Sequence, residues 1–341
     1  MKHWLSLSFL TIGNNESTIY GYCPERIERE GNMLMEQFKE KLCKALQEVM
    51  GEQYSFSTRE IIKNNGILCH AILFIKKGSN VSPTIYLEPF YKMYEEGKSM
   101  GDIVYDILCV YRRYAKEIRM DMDFFTSYDK VRKRIFYKLI HKQRNDELLL
   151  EMPFRIWQDL ALVAYYAFED IRFGRAAIMI RNSHLRMWGV DEDTLFEDAE
   201  ENMRTLLPEY LMPMQKMLRE ILREETSDAN FLRLPGELSL AMAKDECISM
   251  YVLSNREKMY GASSILYSEN IRQLAKQLNR NLIILPSSVH EVLLVPDNGH
   301  MEREFLLDMV REVNDTHVDP EEILSYNVYY YDRQKKEIRI L

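Results

Sequence analysis

Apolar positions change their spacing from segment to segment along the chain, and that spacing predicts the elements. Phe38, Leu42 and Leu46 recur every four residues, which predicts a helix over 33–51. Residues 54–62 and 66–75 are apolar segments parted by Lys63, Asn64 and Asn65, the pattern of a hairpin. KKGSNVSP at 76–83 is dense in turn formers and leads into a short strand at 84–87. Helical spacing returns over 90–118, with a break where Gly97 and Gly101 flank the sequence KSM. Residues 128–144 (YDKVRKRIFYKLIHKQR) predict a basic helix. At about 100° per residue, Val131, Ile135, Phe136, Leu139 and Ile140 share one side. Lys130, Lys133, Arg134, Lys138, His141 and Arg144 crowd the other.

Beyond Asn145 and Pro153 the pattern starts afresh. Residues 154–168 and 175–181 predict strands, 190–207 a helix with acidic residues in its first turn, and 210–225 further helical turns with Met212, Met214 and Met217. Residues 250–254 and 261–267 predict paired strands, and Ser268 caps a helix running to Leu278. In the stretch 281–297 (NLIILPSSVHEVLLVPD), two short apolar runs flank a polar knot of Pro286, Ser287, Ser288, His290 and Glu291. Neither run alternates, so each is expected to be a strand covered on both faces. A helix over 302–313 and a hairpin of 327–332 with 337–341 complete the chain. Strands grouped with helices, without βαβα alternation, predict an α+β fold: mixed, largely antiparallel sheets with helices packed on them. Two lobes are expected, 33–150 and 151–341, the second containing ILPSSVHEV. Residues 1–32 carry no sustained period and are expected to be a poorly ordered extension. Arg29-Glu30-Gly31 can be encoded by AGG-GAG-GGA, a purine run resembling a ribosome-binding site. The folded protein is therefore expected to start at Met33 or Met35, with residues 1–32 a mis-called start.

Composition narrows the function classes. The 341 residues carry a net charge of −8, so no global basic footprint marks a nucleic-acid binder. Only 13 residues are glycine, and neither GxxxxGK[ST] nor GxGxxG occurs. Five scattered cysteines without a CxxC pair predict free thiols in a reducing cytoplasm rather than a disulfide framework or a zinc knuckle. No apolar run reaches the ~18 residues of a membrane span, so no membrane partner is expected. The N-terminal MKHWLSLSFLTIG lacks the full apolar region and cleavage site of an export signal.

Three pieces, MYVLSNREKMYGASSILY, ILPSSVHEVLLVP and LSYNVYYYD, resemble the domain-of-unknown-function family numbered fifty-six eighty-eight, found in anaerobic gut bacteria. PTIYLEPFYKMYEEGKSM, KLIHKQRNDELL and IRNSHLRMWGV extend the likeness over 33–341. The resemblance implies a bacterial, soluble, cytoplasmic protein. It brings no activity, cofactor or catalytic residue to carry over.

Candidate chemistry is sparse. Ser287 and Ser288 would need a base within hydrogen-bond reach to act as nucleophiles, and His290 is near in sequence. No GxSxG elbow accompanies them, and His290-Glu291 is not HExxH, because Leu294 stands at the second histidine position. The structural alternative is a turn whose hydroxyls bond the backbone after Pro286, with His290 and Glu291 satisfying backbone or side-chain partners at a strand end. His300, Glu302 and Glu304 alternate near Asp297, but acidic residues at a helix start explain them better than a metal. The run 191–198 lacks the glycine and terminal glutamate of an EF-hand. No metal and no cofactor is expected. The leading reading is a non-enzymatic module that binds a protein partner or itself. The alternatives are a hydrolase using Ser287, Ser288, His290 and Glu291, and a nucleic-acid accessory protein binding anions through Lys130, Lys133, Arg134, Lys138 and Arg144.

Overall fold

The structure is a computed structural model that describes residues 11–13, 29–77, 84–115, 122–170, 174–217 and 250–341. In chain order it runs β1 (Thr11–Gly13), α1 (Arg29–Met50), β2 (Tyr54–Ile62), β3 (Leu68–Lys76), β4 (Thr84–Tyr86), α2 (Glu88–Glu95) and α3 (Met100–Ala115). The short α4 (Tyr128–Val131), β5 (Ile135–His141), the short α5 (Asp146–Leu149), β6 (Phe154–Trp157), β7 (Leu160–Asp170) and β8 (Gly174–Met179) follow. Next come α6 (Asn182–Trp188), α7 (Glu192–Leu206), β9 (Glu209–Pro213), β10 (Tyr251–Asn255) and α8 (Glu269–Leu278). The hairpin of β11 (Leu282–Pro286) and β12 (Val292–Pro296), then α9 (Arg303–His317), β13 (Tyr329–Asp332) and β14 (Glu337–Ile340), end the chain. Helices and antiparallel sheets make an α+β fold, as the pattern predicts. No helix among the described residues is long and apolar enough to cross a membrane.

The chain divides into two compact units. The first takes Met1–Phe136, Arg144–Pro153 and Ala164–Leu195; the second takes Tyr137–Gln143, Phe154–Val163 and Phe196–Leu341. The chain thus passes between units within β5, β7 and α7. In the first unit, Met35, Phe38, Leu42 and Leu46 of α1 pack with Ile72 and Phe74 of β3 and with Ile103, Ile107 and Tyr111 of α3. The Phe74 and Tyr111 rings stack 4.2 Å apart. The second unit is built on the sheet β14-β13-β11-β12-β10-β9. Leu282 and Ile284 of β11 face a core shared with Ile271, Leu274 and Ala275 of α8. Ile283 and Leu285 point the other way, into a core with Leu306 and Val310 of α9. Every residue of β11 is buried, which is why its sequence shows no alternation.

Four expectations change. Residues 128–144 are not a helix: helical turns end at Arg134, and Ile135–His141 is strand β5. Five of its seven residues are buried, and a strand covered on both faces supplies apolar side chains that fit a helical stripe equally well. Tyr210 to Pro213 lies in β9, paired with β10, residues 214–217 are helical as expected, and 218–225 falls outside the described residues. Gly261–Leu266 coils as a 3-10 turn rather than pairing as a strand. Residues 154–168 form two strands, turned back at Gln158 with φ +54°. At the N-terminus α1 begins at Arg29, and β1 pairs with β8; residues 1–10 and 14–28 lie outside the described residues. Residues 78–83 of the expected turn do so as well.

Candidate functional site

The polar knot closes the β11–β12 hairpin of the second unit. Pro286 ends β11 opposite Val292, and residues 287–291 turn the chain. The amide of Ser288 donates to the Glu291 carbonyl (3.2 Å), and the amide of Val289 donates to the Glu322 carbonyl (2.8 Å). Both Ser287 Oγ and Ser288 Oγ donate to Glu291 Oε1, each at 3.2 Å. Ser288 Oγ in turn accepts from the His290 amide at 3.0 Å. The Glu291 carboxylate is thus the hub of the turn.

His290 is held from three sides. Its carbonyl accepts from Ser254 Oγ at 2.8 Å. Its Nδ1 accepts from the Tyr260 amide at 3.1 Å, which assigns the ring proton to Nε2, and Nε2 lies 3.3 Å from the Glu322 carboxylate. The hydrogen bond from His290 holds the Glu322 carboxyl below its ordinary range, outweighing the opposing effect of its partial burial. Tyr260, at φ +53°, lays its ring parallel to the imidazole, with centroids 5.5 Å apart. Lys138 Nζ sits over the other part of this cluster, 4.4 Å from the Tyr260 ring centroid. Burial pushes the Lys138 ammonium down to about 8, against the pull of the Glu321 carboxylate. Burial also pushes the Tyr260 phenol up to about 12, helped by Glu322 and Glu321.

This arrangement determines what the four predicted site residues can do. A serine nucleophile needs a base on its hydroxyl. Both nitrogens of His290 already face Tyr260 and Glu322, and both serine hydroxyls face Glu291. The structure brings Ser287, Ser288 and Glu291 together, and it gives His290 a different set of partners. Tyr260, Glu321 and Glu322 escape the sequence reading, because nothing in residues 260 or 321–322 marks them as neighbours of position 290.

The basic set is not one helix face. Lys130, Lys133 and Arg134 are exposed on the helical turns before β5, and Arg144 is exposed after it. Lys138 stands half-buried within β5. The acidic run after Val190 is a helix start, with Asp191 Oδ1 accepting from the Thr194 amide at 2.9 Å. That bond holds the Asp191 carboxyl low. Asp297 and Asn298 form the turn before α9, accepting from the Gly299 and His300 amides. Among the described residues, the donors grouped closely enough to hold an ion are not His300, Glu302 and Glu304 but Glu36, Glu60 and His70 of the first unit.

A family model spans residues 35–333. The chain belongs to DUF5688, a family of unknown function. The match to DUF5688 includes both strands of the central hairpin and the whole of the Lys138, Tyr260, His290 and Glu322 cluster. No curated protein and no solved structure matches the chain.

Proposed function

We propose that this DUF5688 chain is a non-enzymatic binding or assembly module of the bacterial cytoplasm. One observation carries the reading: the polar groups of the central turn are bonded to one another, and the His290 imidazole faces Tyr260 and Glu322 rather than Ser287 or Ser288. Such a turn serves the sheet that carries it. The assembly half is supported by α9, where Phe305 (64% exposed) and Val313 (41% exposed) flank the half-buried Met309 at helical spacing. Cys43, Cys69 and Cys109 are free thiols, in keeping with a reducing compartment. Treatment of the native chain with a fluorophosphonate probe, followed by peptide mass spectrometry, tests the first half. No adduct at Ser287 or Ser288 is expected, and an adduct there would replace this reading with the hydrolase. Sedimentation over a range of concentrations tests the second half. Association that Phe305→Ser weakens is the expected result; a monomer at every concentration overturns self-assembly.

A second reading rests on Lys130, Lys133 and Arg134, exposed within five residues of one another. Such a patch could take an anionic polymer, and retention on heparin that falls steeply with salt would favour it.

A further inference from the structure

His70, Glu60 and Glu36 meet in the first unit for reasons the sequence pattern makes plain only after folding. The register of the β2–β3 hairpin sets Glu60 directly opposite His70, so both side chains leave the same face of the sheet. Ile72 and Phe74 follow His70 on that face and pack under α1. Glu36 stands one residue after Met35 on α1, whose side chain enters the same core. One ligand atom from each of Glu36, Glu60 and His70 lies within 4.8 Å of the other two.

The imidazole is the decisive member. His70 is 5% exposed. Its Nδ1 lies 3.2 Å from Glu88 Oε1, at the start of α2, and the same oxygen accepts from the His70 amide. A proton on Nδ1 makes that contact a hydrogen bond and leaves a lone pair on Nε2. Nε2 is buried and has no hydrogen-bond partner among the described residues. It points at Glu60 Oε1, 3.8 Å away, which is too far for a hydrogen bond. A buried nitrogen lone pair facing carboxylate oxygens is unfavourable unless a cation lies between them.

We infer that Glu36, Glu60 and His70 form a binding site for a divalent transition-metal ion, of which Zn2+ is the representative. An imidazole nitrogen and carboxylate oxygens bind such ions at about 2.0–2.2 Å. Donors 3.8 Å apart therefore need only a small inward movement to share one. Glu88 takes the part of the carboxylate that orients a ligating histidine through its other nitrogen. The charge also matches. Glu36, Glu60 and Glu88 bring three carboxylates, and Lys39, 2.5 Å from Glu36 Oε1, brings one ammonium. That leaves an excess of negative charge that a divalent ion balances. Lys39 engages one oxygen of Glu36 and leaves the other for the ion. Glu36 and Glu60 are exposed, so water can complete the coordination.

Calorimetric titration of the metal-free full chain with Zn2+ tests the site, with Co2+ absorption reporting the ligand field. One equivalent is expected to bind and to raise the melting temperature. Glu60→Gln alters an exposed side chain, so it should leave the metal-free melt unchanged and abolish the stoichiometric event. Glu88→Gln, at a positioning residue, should weaken binding by on the order of 10–100-fold. Failure to bind one equivalent, or undiminished binding by both Glu60→Gln and Glu36→Gln, overturns the assignment. His70→Asn is informative only beside these variants, because His70 is buried and its loss could unfold the hairpin.

Discussion

Gly261 presses against Ser254: a Cβ built on the glycine would fall 2.1 Å from Ser254 Oγ. It would also fall 2.6 Å from the Asn255 amide nitrogen and 2.7 Å from the His290 carbonyl oxygen. Two of those three atoms are backbone and cannot rotate away. Gly261→Ala should therefore push the 3-10 turn off β10 and break the bond from Ser254 Oγ to His290. A loss of about 1–3 kcal/mol is expected, the range for overpacked interiors. Gly101→Ala is the control, since its Cβ would meet only Ser99 Oγ, at 3.9 Å. Urea melts of the two variants decide the matter, and equal midpoints would contradict the close approach.

Glu291 holds two hydroxyls, and Ser288 is 6% exposed. Glu291→Ala strands both donors, so about 1–3 kcal/mol should be lost. Ser287→Ala removes one donor and leaves the carboxylate with the other, at a cost within about 0.5 kcal/mol. The ordering is what matters. A thermal melt in which Ser287→Ala is the more damaging change would mean that the carboxylate is not the hub.

The fold was legible wherever one period ruled a segment. Phe38, Leu42 and Leu46 announce α1, and Ser268 does accept from the Ile271 amide at the start of α8. The unalternating run at 282–285 correctly announces a strand with cores on both sides. That same property misleads at 128–144, where Ile135, Phe136, Leu139 and Ile140 are all buried in a strand and yet sit on one side of a helical wheel. The site was legible only where it is local. The Ser287, Ser288 and Glu291 contacts span four residues or fewer. Lys138, Tyr260, His290 and Glu322 are brought together by the tertiary fold, and no spacing in a sequence encodes such a meeting. Glu36, Glu60 and His70 escape for the same reason.

Lys138 gives the second unit a pH dependence of definite sign. Its ammonium is pushed from 10.5 down to about 8 in the fold. Between these values the unfolded chain binds more protons than the folded one, so the contribution of Lys138 to stability rises with pH. The cost of the charged form is fully present below about pH 8 and fades above it. Lys138→Met removes that cost along with the contact to Tyr260. Urea midpoints at about pH 7 and about pH 9.5 should show the variant losing ground to the parent as pH rises. Parallel behaviour would mean that Lys138 stays fully charged over this range.

The costliest of the predicted substitutions is at Asp159, in the turn between β6 and β7. Asp159 Oδ1 accepts from Tyr329 Oη at 2.7 Å. Asp159 Oδ2 accepts from Ser325 Oγ at 2.6 Å and from Asn327 Nδ2 at 2.9 Å. Tyr329 and Ser325 are fully buried, so neither donor can turn to solvent. Burial raises the Tyr329 phenol well above its ordinary value, and the Asp159 carboxylate adds to the rise, so the hydroxyl keeps its proton as donor. The contact also ties residues 166–170 positions apart in the chain, which makes it a long-range clasp within the second unit. Asp159→Ala strands all three donors at about 1–3 kcal/mol for each that stays unsatisfied. Asp159→Asn keeps one acceptor oxygen and presents an NH2 group to the remaining donors, so it should recover part of the loss. Tyr329→Phe removes one donor and leaves the carboxylate its other two partners. The expected order of urea midpoints is therefore parent, Tyr329→Phe, Asp159→Asn, Asp159→Ala. An Asp159→Ala midpoint at or above that of Tyr329→Phe would show that the carboxylate is not the group on which this clasp depends.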